Sequence, residues 1–137
     1  MPLPSRVVAL VVAASLGAAA GALVAQNPGL TREVVQKSDM SIAGYEAVVA
    51  RIEVAAGGVG DWHTHPGDEI DYVTEGEGEL LIAGQPPRKV KAGEAFVIPA
   101  GTVHNARNTS GAPVKVVGVY VVEKGKPLAS AAPAPAQ

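Results

Sequence analysis

All three histidines of this 137-residue chain fall within two short glycine-bracketed segments. The first runs from Gly57 through Trp62-His63-Thr64-His65 and Pro66-Gly67 to Glu69 and Gly76. The second runs from Gly93 through Pro99 and Gly101 to His104 and Asn108. Histidine is the commonest protein metal ligand, and a carboxylate is its usual oxygen partner around first-row ions. Residues two apart in a strand share a face, so His63 and His65 point the same way, with Trp62 and Thr64 opposite. Pro66-Gly67 turns the chain, and Glu69, opening a strand that runs to Glu75, can return its carboxylate to the same interior. Gly101 lets the backbone bend just before His104. The four residues His63, His65, Glu69 and His104 read as one mononuclear metal site. The bland alternative, surface histidines on unrelated loops, does not explain why every histidine lies in these two segments.

The segments resemble the paired motifs of the cupin superfamily, G-x5-H-x-H-x3-E-x6-G followed by G-x5-P-x-G-x2-H-x3-N. Every defined position is occupied: Gly57, His63, His65, Glu69 and Gly76, then Gly93, Pro99, Gly101, His104 and Asn108. The short stretch between Gly76 and Gly93 is similar to that of small single-domain bacterial members. The resemblance covers residues 31–123 and implies an all-β fold, a single-domain antiparallel β-barrel or jelly roll. It also implies a metal inside the barrel, held by His63, His65, Glu69 and His104. It says far less about the reaction, because one such scaffold carries many functions. Thiol dioxygenases of the superfamily typically lack the glutamate, so Glu69 argues against them. Germin-like oxalate oxidases usually carry an N-terminal cysteine pair, which is missing here, and two-domain oxalate decarboxylases are longer.

Composition narrows the remaining classes. Cysteine is absent, which removes zinc-finger and disulfide readings. The net charge of -2, without a basic stripe, leaves nucleic acid no electrostatic footprint. Aromatic residues are few (one Phe, one Trp, three Tyr), so the core must be built from valine and other aliphatics.

The N-terminus has the pattern of an export signal. Arg6 is followed by the uncharged apolar stretch Val7–Ala25, and Ala20-Gly21-Ala22 supplies a small-residue cleavage site. Residues 1–25 are therefore expected to be a signal peptide cut near 22–25, leaving a periplasmic or secreted domain with no membrane contact. An uncleaved anchor is the rival, since the stretch approaches the roughly 20 apolar residues that span a bilayer. Its Ala/Gly-rich second half weakens that rival. Cytoplasmic sugar-phosphate isomerases of the superfamily fit poorly with export.

Along the mature chain, Leu30–Met40 is ambiguous. Thr31-Arg32-Glu33 could open a helix, but the flanking turns favour an entry strand, of the kind that often pairs across a homodimer in cupins. Tyr45–Val54 alternates, with Val48, Ala50, Ile52 and Val54 on one face and Arg51 and Glu53 on the other, as a half-buried strand does. Val114–Val122 is apolar at nearly every position and predicts a central strand covered on both faces. Residues 124–137 are Pro/Ala-rich and predict a disordered tail.

Manganese or iron is favoured as the single divalent ion by the resemblance, with zinc, nickel and copper also compatible with the donors. On an octahedral ion four protein ligands leave two positions open, whereas on tetrahedral zinc they leave none. Strand parity from Glu69 turns Asp71 inward and Ile70 and Tyr72 outward. Asp71 is thereby the candidate general base or substrate-positioning carboxylate; a solvated carboxylate on the rim is the alternative. Trp62 and Tyr72 are expected on the outer face, Asn108 in the turn that closes the second motif, and Glu75, Glu77 and Glu79 on a solvated hairpin. Two function classes follow. One is a metal-dependent enzyme, a dioxygenase or a lyase or isomerase, acting on a small organic substrate. The other is a non-catalytic module that binds a small polar ligand or sugar.

Overall fold

A computed structural model describes residues 29–136, so the expected signal peptide and its cleavage point lie outside the described residues. The strands are β1 (Leu30–Asp39), β2 (Tyr45–Val54), β3 (His63–Thr64), β4 (Gly67–Glu75), β5 (Glu77–Ile82), β6 (Arg88–Lys91), β7 (Ala95–Ile98), β8 (His104–Arg107), β9 (Val114–Glu123) and β10 (Ser130–Ala131). They form two antiparallel five-stranded sheets, ordered β1-β2-β9-β4-β7 and β10-β3-β8-β5-β6, and no helix occurs among the described residues. The all-β jelly roll is the architecture that the resemblance implied. The ambiguous Leu30–Met40 segment is strand, paired antiparallel with β2.

The alternation of β2 is followed residue by residue, with Val48, Ala50, Ile52 and Val54 all buried. Two clusters fill the space between the sheets. One gathers Val54, Val73, Leu80, Val90, Ile98 and Val114. The other gathers Val48, Ala50, Ile52, Tyr120 and Val122, with Leu128 packed against it from the C-terminal segment. Because the core is mostly valine and isoleucine, β-branched shapes that suit a pleated surface, the barrel closes with few aromatics.

β9 differs from the expectation of cover on both faces. It is central in its sheet, but only Val114, Gly118, Tyr120 and Val122 are buried, and Val117, Val119 and Val121 remain partly exposed on the outside. No layer covers that outer face among the described residues, so an all-apolar run here marks a one-sided strand.

The disordered-tail expectation also needs correction. Ser130 and Ala131 pair with Thr64 and His63, and the Ala132 N–H donates to the Trp62 carbonyl at 2.9 Å. Proline and alanine carry no propensity for this, but the open edge of β3 offers backbone partners, and Leu128 gains burial against the second cluster.

Candidate metal centre

Each motif glycine (Gly57, Gly76, Gly93 and Gly101) has positive φ, between 70° and 89°. These are the points at which the chain reverses around the site, in a conformation that residues with a Cβ seldom adopt. Gly101 does most to assemble the centre. Its turn directs the second motif back toward the first, and its N–H donates to the His65 carbonyl at 3.0 Å. Gly67 is required for a different reason, since a Cβ there would run into the Val121 carbonyl. That close approach seats β4 on β9 and aims Glu69 into the interior.

His63 on β3 lies directly opposite His104 on β8, His65 follows β3, and Glu69 is the third residue of β4. Their ligand atoms all lie within 4.8 Å of one another. His65, Glu69 and His104 are buried, and His63 is half-buried. His65 Nε2 and His104 Nε2 each lie 3.0 Å from Glu69 Oε2, and His63 Nε2 is 3.1 Å from His65 Nε2.

Backbone carbonyls fix which ring nitrogens face inward. Nδ1 of His63 lies 2.7 Å from the Asp61 carbonyl, Nδ1 of His65 lies 2.6 Å from that of Leu128, and Nδ1 of His104 lies 2.8 Å from that of Thr102. A carbonyl oxygen can only accept, so each Nδ1 carries the proton and donates. With Nδ1 so engaged, Nε2 of His65 and of His104 faces the Glu69 carboxylate, and Nε2 of His63 lies against that of His65. Three nitrogen lone pairs and a carboxylate in mutual contact repel one another unless a cation or added protons lie between them. A bound divalent ion resolves this directly, and an Nδ1–H held by a carbonyl is the usual support of a metal-bound imidazole.

The electrostatics fit that role. Burial would raise the Glu69 carboxyl, but positive charge shared with it at His104 and His65, supplied by added protons where no ion is bound, outweighs burial and holds the group below the usual carboxylate range. Burial is also the main influence on His63. Helped by the neighbouring His104, His65 and Arg32, and against the hydrogen bond to Asp61, it lowers the imidazole to about 4. Both groups are thus in the deprotonated form that a metal needs at neutral pH. Three nitrogens and one oxygen suit the first-row divalent ions, and the cluster can hold one.

Asp71 lies inside the barrel rather than on its rim. The β4–β9 register runs unbroken through Glu69↔Tyr120, Ile70↔Val119 and Asp71↔Gly118, and its irregularity comes only between Val73 and Glu75. Parity counted from Glu69 therefore holds. Asp71 is buried, and its Oδ1 has no hydrogen-bond partner among the described residues. Burial first, then the charge of Glu69 and a hydrogen bond with it, push the Asp71 carboxyl up to about 8, with Arg32 opposing. Gly118 makes the space, because a Cβ there would sit 2.9 Å from Asp71 Oδ1 and 2.8 Å from Ile52 Cδ1.

The other expectations for side chains sort simply. Tyr72 is half-exposed on the outer face, and Trp62 is partly buried, its carbonyl serving the C-terminal strand. Asn108 is buried and organises a turn, donating to the Val54 and Ala112 carbonyls and accepting from Ser110. Glu75 pairs with Lys115 and Glu79 with Arg107, while Glu77 is exposed.

Two residues of the site were not singled out from sequence. Tyr120 is fully buried, with its ring 4.8 Å from that of His65. Arg32, on β1, donates from Nε to Tyr120 Oη at 2.9 Å, and its Nη2 lies 3.4 Å from His63 Nε2. Burial, then the Glu69 charge, raise the Tyr120 phenol, so it stays protonated. Arg32, His63, Glu69, Asp71 and His104 line an interior pocket together with Asn105, the Glu79–Arg107 ion pair and a larger number of apolar residues, among them Leu80, Val90 and Ile98.

Residues 50–122 match the family described as the cupin domain. The chain belongs to the cupin family. It is 35% identical over 116 residues to germin-like protein subfamily 2 member 2 of Arabidopsis thaliana, covering 80% of this chain and 48% of that protein. The cupin thus spans about half the length of that curated relative, or less for others. Among solved structures, a double-stranded β-helix domain protein from Klebsiella pneumoniae superposes with a TM-score of 0.66 at 25% identity, over 79% of this chain and 88% of that one. DMSP lyase DddQ from Ruegeria pomeroyi DSS-3 superposes with a TM-score of 0.55 at 26% identity, over 59% of this chain and 41% of that one.

Proposed function

We propose that this cupin is an exported metal-dependent enzyme acting on a small organic substrate. In this reading His63, His65, Glu69 and His104 hold one divalent ion, manganese or iron in preference. The observation that carries the reading is the Oδ1 of Asp71, buried without a partner in the interior that the four ligands share. An unsatisfied buried polar atom costs about 1–3 kcal/mol, and nothing in the fold uses this one. It is best explained as an acceptor kept for a group on the substrate.

The bound ion supplies Lewis-acid polarisation of a coordinated substrate oxygen. Asp71 receives a proton at Oδ1 from the adjacent substrate carbon or hydroxyl, or returns one. Tyr120 orients Arg32 through its hydroxyl. The mostly apolar lining lowers the local dielectric and strengthens each of these interactions. Proton transfer of this kind belongs to lyase and isomerase chemistry, and DMSP lyase DddQ, a structural neighbour, is a lyase by name.

The test combines two measurements on the exported protein. Elemental analysis should find one metal per chain, lost in the His63→Ala/His104→Ala double variant, and an unchanged metal content there would end the assignment. Incubation with a panel of small molecules in deuterated water, followed by NMR, should show deuterium entering a substrate carbon. Oxygen consumption by the iron-loaded protein without such exchange would favour the dioxygenase instead, and saturable binding without any reaction would favour the binding module.

A further inference from the structure

Arg32 reaches into the barrel without a carboxylate to pair with. Among the described residues, Arg51 and Arg107 each hold a glutamate, Glu33 and Glu79, and Arg88 lies against the Phe96 ring. Arg32 forms no ion pair. It is nevertheless held in place: Nε donates to Tyr120 Oη, and the guanidinium carbon lies 5.6 Å from the centroid of the Tyr120 ring. Its Nη1 has no hydrogen-bond partner among the described residues, and Nη2 has only the long contact to His63 Nε2 at 3.4 Å. That contact uses the lone pair that His63 would give to a metal ion. Loading the centre therefore withdraws the one acceptor of Nη2 and leaves both terminal nitrogens of the guanidinium free at the mouth of the ligand cluster.

A planar fork of N–H donors that is in ion-pair contact with no carboxylate of the described residues is matched by an incoming carboxylate, which it binds with two parallel hydrogen bonds. The charge balance agrees. A divalent cation and Arg32 together outweigh Glu69 and Asp71, whether Asp71 is ionised or not, so the loaded pocket is positive and attracts an anion. We propose that Arg32 anchors a substrate carboxylate, and that this cupin acts on a small carboxylate with an oxygen substituent on the neighbouring carbon. The carboxylate sits on the guanidinium, the neighbouring oxygen lies toward His63 and His104, and the carbon between them faces Asp71. This assignment rests on the metal-enzyme reading above and gives it a substrate class.

The test is calorimetric titration of the manganese-loaded chain with lactate, pyruvate and the neutral analogue lactamide, with metal per chain measured in every sample. Lactate and pyruvate should bind, and lactamide should bind at least about tenfold more weakly. Arg32→Gln should weaken lactate by about 10–100-fold, the range for a lost charge-assisted pair, without changing metal content. Arg32→Lys keeps the charge and loses the fork, so it should fall between the two. The proposal is overturned if lactate and pyruvate fail to bind or bind no better than lactamide. It is equally overturned if Arg32→Gln binds them as wild type does, or if that variant loses its metal, which would make Arg32 a support for His63. A wild-type chain that takes up no metal would refute the metal-enzyme reading instead. Lactate binding to that metal-free protein, weakened in Arg32→Gln, would still uphold the anchor, and its absence would overturn it.

Discussion

Removing residues 128–137 should weaken the metal centre although none of them is a ligand. The Leu128 carbonyl accepts the Nδ1 proton of His65 at 2.6 Å, the shortest of the three contacts that set the histidine tautomers. β10 holds that carbonyl in place through its pairing with His63 and Thr64, and Ala132 adds a bond to Trp62. Without the segment, a buried imidazole loses both its acceptor and its orientation. Loss of such an outer partner typically costs about 10–100-fold in metal affinity, or about 1.4–2.8 kcal/mol. Competition against a chelator of known affinity measures it on chains ending at Pro127. Leu128→Ala is the control, because it keeps the carbonyl and removes only a partly buried side chain. It should lower stability by about 1–3 kcal/mol or less and leave affinity within about twofold, a tolerance set well below the loss expected of the truncation. Truncated protein with the wild-type affinity would refute the claim that the tail orients His65.

Three further outcomes are expected. Asp71→Asn should retain metal and folding while turnover falls by about a hundredfold or more, the usual scale for a lost general base; wild-type turnover would remove Asp71 from the chemistry. Gly118→Ala should cost about 1–3 kcal/mol by overpacking and displace the Asp71 carboxylate, so thermal unfolding and turnover should both fall while metal per chain holds. N-terminal sequencing of the exported protein should begin within Leu23–Gln26, and intact Met1 in a membrane fraction would support the anchor instead.

Much of the site was legible because it depends on local geometry. His63 and His65 are two apart in extended chain, and Glu69 and Asp71 are two apart in the next strand, so each pair shares a face whatever the rest of the barrel does. Turn residues fix the spacing between these pairs, and Gly101 with its positive φ joins the second motif to the first. The β2 alternation was readable for the same reason. An apolar/polar period of two leaves only one register in which the apolar face is covered.

The missed features depend on contacts between distant segments. Tyr120 lies in a run where nearly every residue is apolar, so the pattern could not say which parity faces inward; the pairing of Gly118 with Asp71 decides it. Arg32 precedes a stretch that is exposed on both faces, and a single inward charge produces no periodicity. Its direction follows only from the register that sets it beside Ile52 on β2. The tail is the extreme case, because what it contributes is a main-chain carbonyl, which every residue possesses. Composition reports what side chains can bury, and by that measure Pro127–Gln137 has little to offer. An unpaired strand edge asks only for backbone donors and acceptors, and β3, two residues long and carrying His63 of the candidate cluster, has such an edge. The least informative segment of the sequence therefore completes the centre that its most informative residues define.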